Sequence, residues 1–144
     1  MWDSLFVLTN AIAVAGWAML AFLPRKPMVM ASILFLGVGL LCLAYTAMFA
    51  VQATAIVSGE FTSIKGIRSL FATDGGIVLG WTHYLAFDLF IGQWIARDAD
   101  NKGFHRLVQL PFLFLTLMAG PIGLLFWLLV RERRARAVAR QANA

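Results

Sequence analysis

Four stretches of the chain, residues 4–24, 27–59, 75–96 and 107–130, contain no Asp, Glu, Lys or Arg with one exception, Asp88. Each reaches the roughly 20 residues that an α-helix needs to cross about 30 Å of hydrocarbon. None alternates apolar and polar residues in the manner of an outer-membrane strand. The other charges fall at Asp3, between these windows and in the C-terminal tail. With 61% hydrophobic and 13% charged residues, against roughly 25% charged in an ordinary soluble domain, the composition argues against a soluble enzyme.

The expected fold is all-α: one integral membrane domain over residues 1–144, built as a four-helix transmembrane bundle with helices at about 2–23, 28–51, 75–96 and 107–130 and a basic tail over 131–144. The Pro24-Arg25-Lys26-Pro27 turn sends the chain straight back, because neither proline suits a helix interior. Between helices 2 and 3, Phe61, Ile64, Ile67, Leu70 and Phe71 recur at helical spacing, with Lys65, Arg68 and Ser69 elsewhere. That pattern predicts a short amphipathic helix lying in the membrane interface. Pro121, flanked by Gly120 and Gly123, frees the Leu117 carbonyl and is expected to bend helix 4.

Arginines at 131, 133, 134, 136 and 140 directly follow a spanning window, so they point to anionic lipid and topology rather than to nucleic acid. If all four helices cross, seven Lys and Arg share the side of the N-terminus and tail, against five on the other. The five-arginine tail then favours both termini being cytoplasmic. The N-terminus lacks the basic stretch of a cleaved signal peptide. The single Cys42 reads as packing. Two histidines, His83 and His105, do not assemble a haem or zinc site, and neither a phosphate-binding loop nor a Ser-His-Asp set is present in the sequence, so neither a metal nor a cofactor is expected.

Asp88 is the informative residue. A carboxylate at the centre of a lone helix costs about 2.5–3.5 kcal/mol on insertion scales, so it must face protein, water or a ligand. His83, about 140° away around the helix, can border the same cavity. The series Gly76, Gly80, Tyr84, Asp88, Gly92 marks a face for close approach, with GxxxG at its start usually meaning helix packing. Asn10, Tyr45 and Thr46 fall at the shallower depth of His83 and Thr116 near the level of Asp88, and together they would complete a polar pocket under the interfacial segment.

The run from Asp74 to Asp98, with Trp81-Thr-His83-Tyr84-Leu-Ala-Phe87-Asp88-Leu-Phe90-Ile-Gly92-Gln-Trp94 at its heart, resembles the signature of the abscisic acid-deficient 4 type membrane family. Asn10, Gly16, Trp17 and Pro24 in helix 1, Phe71, and Gly120-Pro121-Ile-Gly123 in helix 4 extend the likeness over most of the chain. The resemblance implies a small four-helix membrane protein connected with neoxanthin synthesis, here a bacterial-type relative. Epoxide-to-allenic-alcohol conversion is an isomerisation needing one acid and one base. His83 and Asp88 are the expected pair, in either role. Asn10, Asp74 and Tyr84 would orient ring oxygens, Tyr45 and Thr116 would line the pocket, and Trp81, Phe87 and Trp94 would hold the polyene. Expected partners are membrane lipid, a carotenoid or related isoprenoid, and a second copy or carotenoid-pathway enzymes. Two other readings stay open: a non-catalytic carotenoid-binding protein and a proton-coupled carrier using Asp88.

Overall fold

A computed structural model describes the backbone of residues 1–142 and the side chains through Glu132. The expected tail 131–144 therefore lies, past Glu132, outside the described side chains. The described residues are helical and contain no strand. Helix α1 is Trp2–Phe22. Its buried residues, Thr9, Ala13, Gly16, Trp17 and Leu20, form one stripe at helical spacing, while Val7, Leu8, Val14 and Phe22 on other faces stay exposed. An outer surface as apolar as the core is the surface of a helix solvated by lipid.

The turn closes as expected, with the Lys26 N–H donating to the Pro24 carbonyl at 2.8 Å. Helix α2, Pro27–Val51, returns antiparallel with Pro27 at its start, where its missing N–H costs nothing. Its segment Ile33–Gly39 is π-helical. Two short helices follow, α3 at Ala53–Val57 and α4 at Ile64–Leu70. The Ser63 hydroxyl accepts from the Gly66 N–H at 3.1 Å and caps α4. Phe61, Ile64 and Ile67 are exposed, as befits residues at a membrane interface, while Phe71, also partly exposed, rests its ring against Gly80.

Helix α5, Asp74–Asn101, packs against every long helix and is the hub of the fold. Thr73 caps it, accepting from the Gly76 N–H at 3.1 Å. Gly103, at φ 68°, ends it in a Schellman turn, with Gly103 N–H on the Asp100 carbonyl and Phe104 N–H on the Ala99 carbonyl, both 3.0 Å. Small residues set the packing. The fully buried Leu89 is wedged between helices where Gly16 and Gly37 leave room: a Cβ on either would stand 2.6 Å or 3.1 Å from the Leu89 Cδ2. The Trp17 ring fills the space beside Gly92.

Three helical stretches are long and apolar enough to cross a membrane: Trp2–Phe22, Pro27–Val51 and Arg106–Glu132. Helix α5 is not among them, because Asp88, Gln93 and His83 dilute its apolar content. Its 28 residues nevertheless span about 42 Å, and its two ends coincide with those of α1. Gly75 lies by Trp2 and Gln52 at one end, and Asp100 pairs with Arg25 at the other. We call these the cavity end and the turn end.

The last helix, α6 (Arg106–Ala142), corrects the expected four-crossing bundle. Ala119 has non-helical φ −154°, ψ 59°, and the helix folds back on itself there. Phe112 and Trp127 would lie about 22 Å apart on a straight helix, yet their ring centroids are 5.5 Å apart. Trp127 also meets Phe104, at 5.1 Å, and Arg131 reaches Asp98 at the turn end. Gly123 sits so close to Thr116 that a Cβ would overlap its backbone. The sequence cause is local: Pro121 has no N–H to give the Leu117 carbonyl, and Gly120 and Gly123 leave room for the close approach of Asp88 and Thr116. The first limb and the charge-free part of the second, residues 120–130, each cover roughly 20 Å or less at 1.5 Å per residue, short of the hydrocarbon thickness. Trp2 and Arg131 consequently stand at opposite ends of the molecule.

Candidate functional site

Where the interfacial segment crosses α2 and α5, it roofs a cavity of about 980 Å³ at the cavity end. Gln52, Lys65, Ser69 and Leu70 line its upper part, and Tyr45 and His83 its deepest part. The roof is seated on the two glycines of the GxxxG. Gly76 accommodates the Leu70 carbonyl and Gly80 the Phe71 ring, so a Cβ at either position would overlap the segment. These glycines therefore dock an interfacial strap, whereas helix packing was expected of them.

His83 stands between two aromatic rings. Phe87 stacks on it at 4.6 Å between centroids with 27° between planes, and Tyr45 lies 5.6 Å away. Phe87 also lines a second, apolar groove of about 500 Å³ between α2 and α5, with Phe35, Val38, Cys42 and Phe90. Cavity and groove thus lie along the same α2–α5 seam, with the stacked His83 and Phe87 rings between them. The π-helical segment of α2 supplies Leu34, Phe35, Val38 and Gly39 to this groove, a placement in keeping with the tendency of such segments to occur at functional positions.

Asp88 does not line that cavity. It is 8% exposed and turned toward the tip of the α6 hairpin, where a Cβ on Gly120 would overlap its carboxyl. The Tyr84 side chain is beside it, and the Tyr84 hydroxyl donates to the Leu117 carbonyl at 3.4 Å. This is the carbonyl freed by Pro121, so the bend and the intramembrane acid meet at one point. One Asp88 oxygen, Oδ2, has no hydrogen-bond partner among the described residues.

The other expected site residues divide among several places. The Trp81 Nε1–H donates to Asn10 Oδ1 at 3.1 Å, on the α1 face, with Trp81 packed on Phe6 and Tyr84. Thr116 is fully buried inside the hairpin, its hydroxyl donating to the Phe112 carbonyl at 2.8 Å. Asp74 is exposed in the first turn of α5, where a negative charge suits the helix dipole. Trp94 lies at the turn end under the Arg131 guanidinium, 5.6 Å from its ring centroid. The structure brings together Tyr45, His83 and Phe87, and separately Tyr84 and Asp88. It does not form the single pocket holding His83, Asp88, Asn10 and Thr116, because their helices meet α5 on different faces.

The polar cluster at the turn end was not anticipated. Asp98 accepts from Arg131 Nε at 2.7 Å and Nη2 at 3.0 Å, from Lys102 Nζ at 2.5 Å and from the Trp127 Nε1–H at 3.1 Å. Just past the apolar part of α5, this carboxyl is held well below the usual carboxylate range, at about 2, chiefly by the Arg131 hydrogen bonds. Arg25 joins Asp100, the Ala96 carbonyl and Gln109. Gln93, buried within α5, donates to the Met30 carbonyl at 2.5 Å. A charged interhelical stretch reads in sequence as solvated loop, and only the close spacing of Asp98, Asp100 and Lys102 hinted at more.

Residues 4–127 match the family model described as ABA DEFICIENT 4-like. The chain belongs to the ABA DEFICIENT 4-like family. The match takes in α1, α2, the strap, all of α5 and the hairpin as far as Trp127. The ABA DEFICIENT 4-like family is associated with neoxanthin synthesis in plants. No curated protein and no solved structure matches the chain.

Proposed function

We propose that this ABA DEFICIENT 4-like protein is a carotenoid-modifying membrane isomerase acting on the epoxide end group of a xanthophyll. The observation that carries the reading is the placement of a partly polar cavity and an apolar groove on the same α2–α5 seam, with His83 lining the first and its stacking partner Phe87 the second. An oxygenated ring fits the first space and a polyene the second. Long apolar ligands with polar ends divide between such environments on transfer grounds alone.

His83 is the group we assign to the chemistry, and Asp88 to another task. An imidazolium gives its proton to the epoxide oxygen as the C–O bond breaks; the neutral imidazole then takes a proton from the polyene end, leaving an isomer and the starting protonation state. One residue serves both transfers, which suits a cavity that Asp88 does not line. Asp88 instead positions the hairpin behind α5, through Tyr84 and Gly120.

The test is purified protein in detergent with a xanthophyll epoxide, with the pigments resolved by chromatography and mass. Isomerised product should form with the wild type, and His83→Ala should retain pigment while losing product. Pigment retention without product in the wild type favours the non-catalytic binding reading. Wild-type turnover in His83→Ala overturns the assignment of His83.

A further inference from the structure

The hairpin changes the charge account of the whole molecule. Because the second limb of α6 returns to the turn end, that end carries Arg25, Lys26, Arg97, Lys102, Arg106 and Arg131, and the sequence continues with Arg133, Arg134, Arg136 and Arg140. The cavity end keeps Lys65 and Arg68. The seven-to-five division expected for four crossings becomes two against ten. Counted over short loops and flanks, such an excess of Lys and Arg sets the cytoplasmic side. It also matches the anionic headgroups of that leaflet, at about 1 kcal/mol per basic residue near the surface.

From this we infer that the turn end rests on the anionic cytoplasmic leaflet, that the N-terminus lies on the opposite side, and that the cavity takes its ligand from the non-cytoplasmic leaflet. Three crossings, by α1, α2 and α5, and a hairpin entering from the cytoplasm to Asp88 depth account for the fold. The two ends also differ in construction as this orientation requires. The turn end is closed by the Asp98 and Asp100 networks. The cavity end is roofed by a strap whose exposed Phe61 and Ile64 lie where a lipid-borne ligand would enter. The orientation stands on the hairpin and the charges, while the ligand's leaflet rests also on the carotenoid reading above.

The lone native thiol makes the test simple. In a Cys42→Ala background expressed in a bacterial inner membrane, Thr62→Cys in the strap and Asn101→Cys in the turn-end loop each present one thiol to a membrane-impermeant maleimide. Thr62→Cys should label in intact spheroplasts; Asn101→Cys should show loss of labelling until the membrane is opened. A reporter fused after Ala144 should behave as cytoplasmic, like Asn101→Cys. The reverse labelling pattern, labelling of both thiols in intact spheroplasts, or a fused reporter on the Thr62 side overturns the inference. None of these readouts requires turnover, so a failed isomerase assay leaves the orientation result intact, and a failed orientation leaves the activity test intact.

Discussion

The return limb of the hairpin is tied down most strongly at Asp98, and replacing that carboxylate by an amide should loosen it by a calculable amount. Asp98→Asn preserves shape but removes the charge that Arg131, Lys102 and Trp127 address. The side chain is 12% exposed, so its ion pairs are only partly screened. Displacement of the carboxyl from its ordinary 3.8 to about 2 corresponds to at most roughly 2 kcal/mol of native-state stabilisation at neutral pH. The sign follows from the direction. A carboxyl depressed in the folded state contributes fully above its unfolded pKa, and that contribution fades as pH falls from about 4 through about 2. Thermal unfolding of wild type and Asp98→Asn in a non-ionic detergent should therefore show a wide gap at pH 7 that narrows continuously below pH 4. A gap of the same size at pH 7 and pH 2.5, or none at pH 7, would refute the argument that this carboxylate clamps the limb. Asp98→Ala should cost more than Asp98→Asn, because it also removes the acceptor of the Trp127 indole N–H.

Gly120→Ala should destabilise by about 1–3 kcal/mol by forcing a methyl into the Asp88 carboxyl; combining it with Asp88→Ala should recover part of that loss, and simple additivity in unfolding temperature would show that the two do not touch. Gly16→Ala should cost a similar ~1–3 kcal/mol, since Leu89 is held from the other side at Gly37, and Leu89→Ala should partly relieve it. Gly80→Val should displace Phe71 from its seat and reduce pigment retention in a co-purification assay, with insertion of α1 and α2 unchanged. Gln93→Leu should lower stability by about 1–3 kcal/mol, because the Met30 carbonyl loses a buried donor; an unchanged unfolding temperature would count against that bond.

The first three long helices were legible because each is an apolar run, charge-free but for Asp88, and because Pro24 and Pro27 mark the first turn. Helix α5 overran its predicted end at residue 96 because Asp98, Asp100 and Lys102 find partners on other elements, so polarity did not mark the edge of structure. The hairpin was not legible in the same terms. Residues 107–130 are apolar enough and long enough to cross, and hydropathy is blind to whether a helix continues straight. Gly120-Pro121-Ile-Gly123 indicated a bend but not its angle, which depends on Trp127 finding Phe104 and Phe112. Asp88 stood out as the exception in a charge-free window, and it does face protein as the cost of burial demands. Its separation from His83 was hidden because position around α5 says which residues diverge, but not which neighbour each will meet.

The hairpin also fixes an order of assembly. It is the last part of the described chain to be synthesised, and until it arrives the face of α5 bearing Asp88 has no α6 against it. The three preceding helices must thus wait in the bilayer with an uncovered acid, and the chain's completion is what buries it. A chain ending at Leu117 would retain all three proposed crossings, the strap and the cavity wall, yet lack Gly120, Pro121 and Arg131. Such a truncated product carries its own mark of incompleteness in mid-membrane, where quality-control proteases that survey intramembrane polarity could read it.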